Sequence, residues 1–170
     1  MGQRPNAILE EVRVHNGNAI ADVVTIHKHA HCYEIKGSTD NIYRALKQSV
    51  FYGRAFKKMT LVTTENYIET AERVMPTYWG IITAKIDKNR IKLSYLRPAK
   101  ANPTFIKKVA LHTLWKSELL DSDQIRNLRG AKNLNRDQLI EIISQEATED
   151  NLLNFIGDKL SKRAITQGNY

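Results

Sequence analysis

The stretch ADVVTIHKHAHCYEIKG, residues 21–37, decides how this chain is read. Side chains alternate faces along a strand, so Glu34 and Lys36 point one way, with Tyr33 and Ile35 on the other face. A hairpin that folds back at His29-Ala30 brings Asp22 beside them. Two carboxylates and a lysine at one end of a sheet are costly, through desolvation and like-charge repulsion, unless a cation lies between the acids. Two hard oxygen donors with free positions for water suit Mg²⁺ or Mn²⁺. The expectation is a metal-dependent phosphodiesterase site.

The neighbouring segments fit around that hairpin. Ala7 to Glu11 reads as a short helix. Val12–His15 and Ala19–Ile26 are apolar-rich runs separated by Asn16-Gly17-Asn18, a hairpin-turn signal. After the strand His31–Gly37, Thr39 or Asp40 caps a helix reaching to about Phe56. Its packed side is Ile42, Leu46, Ser49, Gly53 and Phe56, and Arg44, Gln48 and Tyr52 form a separate polar row. Met59–Thr64 reads as a buried strand and Asn66–Val74 as a helix. Gly80–Ile86 and Ile91–Leu96 read as a hairpin turned at Asp87–Arg90. Beyond Pro98 the periodicity is helical over Thr104–Leu120, Ser122–Leu128, Arg136–Gln145 and Asp150–Arg163. The seam between sheet and helical part falls at Arg97–Pro103, giving a core over 1–98 and a helical region over 99–170 packed on it. A meander followed by a crossover helix and strand makes a mixed sheet flanked by helices.

Composition narrows the partners. The 170 residues fit one domain, or one domain with a helical appendage, and carry a formal charge of +8. Residues 1–100 hold +7 of that and residues 101–170 only +1. A polyanion drawn to the first part would meet the acids and the lysine there, which makes nucleic acid the expected partner. The single cysteine, Cys32, rules out an internal disulfide and fits a reducing cytoplasm. No apolar run approaches the roughly 18 residues of a membrane span.

Asp22 followed by Glu34-x-Lys36 resembles the D…ExK signature of the PD-(D/E)XK nuclease superfamily. Gln48-Ser-Val-Phe-Tyr52 is similar to the Q-x-x-x-Y motif of its RecB-like branch. The chain also resembles a family of small bacterial and phage proteins placed in that superfamily. The shared pattern runs from about Glu10 to the C-terminus: Ala21-Asp22, Glu34-Ile35-Lys36, Gln48…Tyr52, Leu61-Val62, Pro76-Thr-Tyr-Trp79-Gly80-Ile-Ile and Leu114-Trp115-Lys-Ser-Glu118-Leu-Leu. The resemblance implies an α/β fold with a restriction-endonuclease-like αβββαβ core and a Mg²⁺- or Mn²⁺-dependent deoxyribonuclease. Asp22, Glu34 and the Ile35 carbonyl would be metal ligands, and Glu10, or else Glu11, the upstream acid from the first helix. Lys36 would position the attacking water or stabilise phosphoryl charge. Gln48 and Tyr52 would contact water or phosphate, and Arg44 would clamp phosphate.

Other features read as structure. An E-x-K triplet arises by chance about once in a chain of this size and gains weight only from its place in an ordered set. His27, His29 and His31 would share a face for Zn²⁺ on one strand, but a bend within the run breaks that alignment. Cys32 reads as an inert buried thiol. Pro76–Gly80 reads as a turn delivering aromatics onto the sheet, and Trp115 as core. The rival function is a non-catalytic module that binds nucleic acid or a protein in a phage or defence setting, since a fold outlives its chemistry. The C-terminal helices offer a surface for a homodimer or a protein partner.

Overall fold

The structure, a computed structural model, describes residues 4–14, 17 and 19–166. Six strands lie in sequence order across one mixed sheet: β1 Ala7–Val14, β2 Ala19–Ile26, β3 Ala30–Lys36, β4 Lys58–Thr63, β5 Gly80–Asp87 and β6 Arg90–Arg97. The β1–β2, β2–β3 and β5–β6 pairs are antiparallel, and the β3–β4 and β4–β5 pairs are parallel. Parallel neighbours need crossovers. These are helix α1, Ile42–Ala55, and a 3₁₀ turn, Glu65–Tyr67, running into α2, Ile68–Val74. Helices α3 Lys107–Leu111, α4 Lys116–Leu119, α5 Arg136–Glu146 and α6 Glu149–Thr166 follow. No helix among the described residues is long and apolar enough to cross a membrane.

The mixed sheet, the crossover α1 and the helical C-terminal region agree with expectation. The opening helix does not. Ala7 to Glu11 is the start of β1, because Ala7 and Leu9 are buried while Ile8 and Glu10 are exposed, a two-residue period. The first element among the described residues is therefore a strand, and the order is βββαβαββ. The predicted turn at Asn16 and Asn18 lies outside the described residues. Asn41, not Thr39 or Asp40, caps α1: its Oδ1 accepts from Tyr43 N at 2.9 Å, while Asp40 Oδ2 accepts from Gly37 N at 2.7 Å.

The predicted helix Thr104–Leu120 is broken into α3 and α4. Carbonyls freed by the break find donors: Arg136 reaches the His112 and Leu114 carbonyls, and Arg163 the Thr113 carbonyl. Those partners come from far along the chain, so local periodicity does not show them. Ser122–Leu128 forms turns and no helix. Trp115 is exposed and stacks on the Arg163 guanidinium, 4.2 Å from its carbon to the ring centroid. Leu114 takes the core position expected for it.

The layers are simple. Cys32, Leu61 and Ile81 point to one face of the sheet and are fully buried there. Both α1 and α6 pack on that face: Tyr52 of α1 lies beside Glu34, and Gly157 of α6 lies so close to the Lys28 carbonyl that a Cβ would stand 2.7 Å from it. Sheet and C-terminal helices share one hydrophobic cluster, from Leu9 and Trp79 to Leu139 and Leu160.

Candidate functional site

The site begins with a fault in the sheet. Glu11 adopts a left-handed conformation, φ 52°, unusual for a residue with a side chain. Pairing skips Glu11 and Asp22, between Glu10↔Val23 and Val12↔Ala21. Both strands change phase there: Glu10 and Glu11 are both exposed, and Asp22 and Val23 are both half-buried. The β2–β3 ladder stops at Val23↔Tyr33. Where its next bond would fall, Asp22 Oδ2 accepts from Ile35 N at 2.7 Å. The side chain thus replaces a backbone partner and fixes the carboxylate against β3.

Glu34 is the buried member, 1 % exposed. Its Oε1 accepts from Lys36 Nζ, two residues along on the same face. Its Oε2 is buried with no hydrogen-bond partner among the described residues. A buried charged oxygen without a partner is expensive. Burial accordingly raises the Glu34 pKa above the usual carboxylate value. The Lys36 bond opposes the rise and the charge of Asp22 adds to it. Lys36 Nζ also lies 3.4 Å from the Ile35 carbonyl.

Helix α1 roofs the site. Tyr52 is fully buried and its hydroxyl donates to the Ile20 carbonyl at 2.7 Å. Burial pushes its pKa far up, and Glu34 beside it adds to the shift. Gln48, one turn earlier, has a buried Oε1 with no partner among the described residues. Arg44, one turn before that, is exposed. The expected polar row is therefore a spiral. Steps of four residues drift by about 40° each on a helix, so the row enters the core at Tyr52.

The upstream acid does not arrive as expected. Register places Glu10 with Val23 and Tyr33, on the face opposite Glu34. Glu11 stands across from Asp22 by register, yet its side chain is exposed. Both line a cleft of about 660 Å³ along the outer edge of β1 with His112, Trp115, Arg136 and Arg163, and Asp22 and Glu34 do not line it. Among the described residues no group of three or more His, Cys, Asp or Glu side chains is placed to hold a metal ion. A cation in the Asp22–Glu34 site would thus have two carboxylates and the Ile35 carbonyl. The unpartnered Glu34 Oε2 is a donor suited to one hard cation, and there is no third acid for a second.

The histidine run disperses. His29 Nε2 lies 3.1 Å from Asn154 Oδ1 and His31 Nε2 2.8 Å from Thr60 Oγ1. Burial, with Lys58 and His27 nearby, lowers the His31 pKa to about 4. Cys32 is fully buried, and burial raises its pKa well above the usual thiol value, with Glu34 and Asp22 contributing. Such a thiol stays protonated and inert. Sequence reasoning missed Thr63, whose Oγ1 donates to the Lys36 carbonyl at 3.0 Å and pins the strand end that carries the lysine. The only sequence signal was a threonine inside an apolar strand.

Fold and site define an α/β protein with a buried acid–lysine cluster where the antiparallel meander meets the parallel strands. The chain belongs to the family described as Bacteriophage P4 protein cII, whose model matches residues 2–165. No curated protein matches it. Among solved structures it is similar to the SPO1766 protein of unknown function from Silicibacter pomeroyi, at 16 % identity and a TM-score of 0.42 over 55 % of this chain. The match spans 60 % of that structure's chain.

Proposed function

We propose that the Asp22–Glu34–Lys36 cluster is the active site of a metal-dependent nuclease acting on DNA, on the pattern of the PD-(D/E)XK superfamily. The observation that carries the reading is the Glu34 carboxylate. It is buried, paired on one oxygen with Lys36, and unpartnered on the other, beside a second carboxylate held by Ile35 N. A fold has little reason to bury such a group for stability alone. Asp22, Glu34 and the Ile35 carbonyl would hold one Mg²⁺ or Mn²⁺. Bound there, the ion would acidify a coordinated water and neutralise charge on a phosphoryl oxygen.

The other roles belong to the chain. Lys36, on the same face as Glu34, would present its ammonium to the scissile phosphate and stabilise the charge that builds there. Gln48 Oε1 accepts a hydrogen bond from a water in the site. Tyr52 holds β2 at Ile20 and so sets the place of Asp22 two residues on. Arg44, exposed at the start of α1, contacts the backbone of the incoming strand. The excess charge of residues 1–100 steers that strand in.

The test incubates the protein with linear duplex, circular duplex and single-stranded DNA in Mg²⁺ or Mn²⁺. Cleavage should vanish with EDTA and fall by about a thousandfold or more in Lys36→Ala, the scale of losing a charge-stabilising donor. Cleavage that survives either control, or no cleavage of any substrate, sinks the proposal. One observation favours a second reading. The Glu34–Lys36 pair satisfies its own charge, which suits a non-catalytic module. That reading predicts DNA binding with no cleavage and no response to divalent ions.

A further inference from the structure

The β5–β6 hairpin is sorted the wrong way round for a lone chain. Register puts Ile82, Ala84 and Ile86 of β5 opposite Tyr95, Leu93 and Ile91 of β6, all on the face away from the helices. Ile86 is 77 % exposed, Ile91 74 %, Leu93 51 % and Tyr95 77 %. Ile35, Val62, Ile82 and Tyr95 are successive register partners across four strands; Ile82 is buried, so the open part of the strip on the hairpin is Ile86, Ile91, Leu93 and Tyr95. The charged residues of the hairpin, Lys85, Asp87, Arg90 and Lys92, occupy its other face. A contiguous apolar strip of this kind on a sheet marks a contact surface.

The edge is bare as well. Every residue from Arg90 to Leu96 is exposed, and β6 is the last strand of the sheet. Proteins blunt such an edge with charged side chains, proline, a bulge, or a covering segment; β6 carries Arg90, Lys92 and Arg97 on it. No proline interrupts β6. The irregularity in its pairing lies at Ile81/Ile82, where β6 is ending. At the opposite side of the sheet, α6 packs against β1.

We propose that β6 pairs antiparallel with β6 of a second copy of this chain across a two-fold axis at Leu93. Symmetry and the alternation of side chains admit only registers centred on a residue. Centring on Leu93 sets Leu93 against Leu93 of the second copy and Ile91 against Tyr95 of the second copy, twice. On the other face Lys92 meets Ser94 and Arg90 meets Leu96, so no like charges face each other. Centring one residue earlier sets lysine against lysine, and two earlier sets Arg90 against Lys92. Centring one later brings Ile91 against Arg97. About Leu93 the strand pairs apolar with apolar on one face and avoids like charges on the other, a self-complementarity that favours a second copy as the occupant. The product is a twelve-stranded sheet whose apolar row runs unbroken through the axis. The inference stands apart from the nuclease reading and moves self-association from the C-terminal helices to the sheet edge.

The test has two arms. Sedimentation equilibrium of the full chain should give a dimer, and Leu93→Asp should weaken it by about thirtyfold or more, the scale of an interface hot spot. Circular dichroism and thermal unfolding of that variant at low concentration should match the parent. The second arm reads register under mild oxidation. Leu93→Cys should crosslink to itself. Ile91→Cys should not, but should crosslink when mixed with Tyr95→Cys. Ser94→Cys, which faces Lys92, should stay uncrosslinked. A parent that is monomeric at every concentration overturns the proposal and leaves the strip to another occupant. So does a dimer that persists in Leu93→Asp, or crosslinking through Ser94→Cys as efficient as through Leu93→Cys.

Discussion

Two regions of the sheet break the usual sorting of residues in opposite directions. Where β2 meets β3, a carboxylate is buried with one oxygen unpaired. In β5–β6, isoleucine, leucine and tyrosine stand in water. A lone folded chain gains from neither. Buried charge costs free energy unless something compensates it, and exposed apolar strips invite association. The first region has the marks of a site that binds something small and hard. The second has the marks of a surface that another chain covers. The two lie on opposite faces of the sheet, so they can be perturbed separately.

The largest expected difference between them is in folding. Trp79, fully buried beside the root of the hairpin, should cost about 3–5 kcal/mol when replaced by alanine. Ile86→Ser, on the apolar strip, should change the unfolding free energy of the dilute protein, from urea titration, by no more than about 0.5 kcal/mol. A loss of several kcal/mol from Ile86→Ser would mean that the strip is covered within the single chain, and the contrast would fall.

A smaller effect separates the site from its surroundings. A ligand that binds only the folded state adds about 2.7 kcal/mol at a hundred times its dissociation constant. At about 2–4 °C per kcal/mol for a chain of this size, Mn²⁺ should raise the melting temperature by roughly 5–10 °C. Asp22→Asn should abolish the shift and Glu10→Gln should keep it, because Glu10 shares a face with Tyr33 and not with Glu34. An equal shift in Asp22→Asn would place the ion elsewhere.

What the sequence disclosed follows the range of the interactions involved. Period-two alternation in residues 31–36 placed Glu34 and Lys36 on one face correctly, and the hairpin brought Asp22 to them. The central strands were legible as short apolar runs, and α1, α5 and α6 by their 3.6-residue period. The first helix was misread because Ala7 to Glu11 is too short to distinguish periods, and its strand character comes from pairing with β2. The break in Thr104–Leu120 depends on Arg136 and Arg163, more than 20 residues away. The Glu10 prediction failed with the helix that was to carry it. The fault opposite Asp22 rests on one left-handed glutamate, and glutamate carries no turn signal.

The finest distinction concerns protons. Burial raises the pKa of Glu34, so the folded chain holds a proton there that the unfolded chain has released. The window opens at the ordinary carboxylate value of 4.5 and closes at the raised folded one. Across it the unfolded state binds fewer protons, and stability falls as pH rises. Below it Glu34 is neutral in both states and the penalty is absent. His31 acts with the opposite sign. Burial lowers its pKa from 6.5 to about 4, so stability rises with pH through that interval and masks the Glu34 slope in the parent. Glu34→Gln removes one titration and keeps the other. The stability of the parent minus that of Glu34→Gln, from urea midpoints between about pH 4 and 8, should therefore decline as pH rises. Saturating Mn²⁺ should flatten the decline, since a cation at the carboxylate favours its charged form. A difference that is flat without metal would show Glu34 to be solvated, and the two regions of the sheet would no longer be opposites.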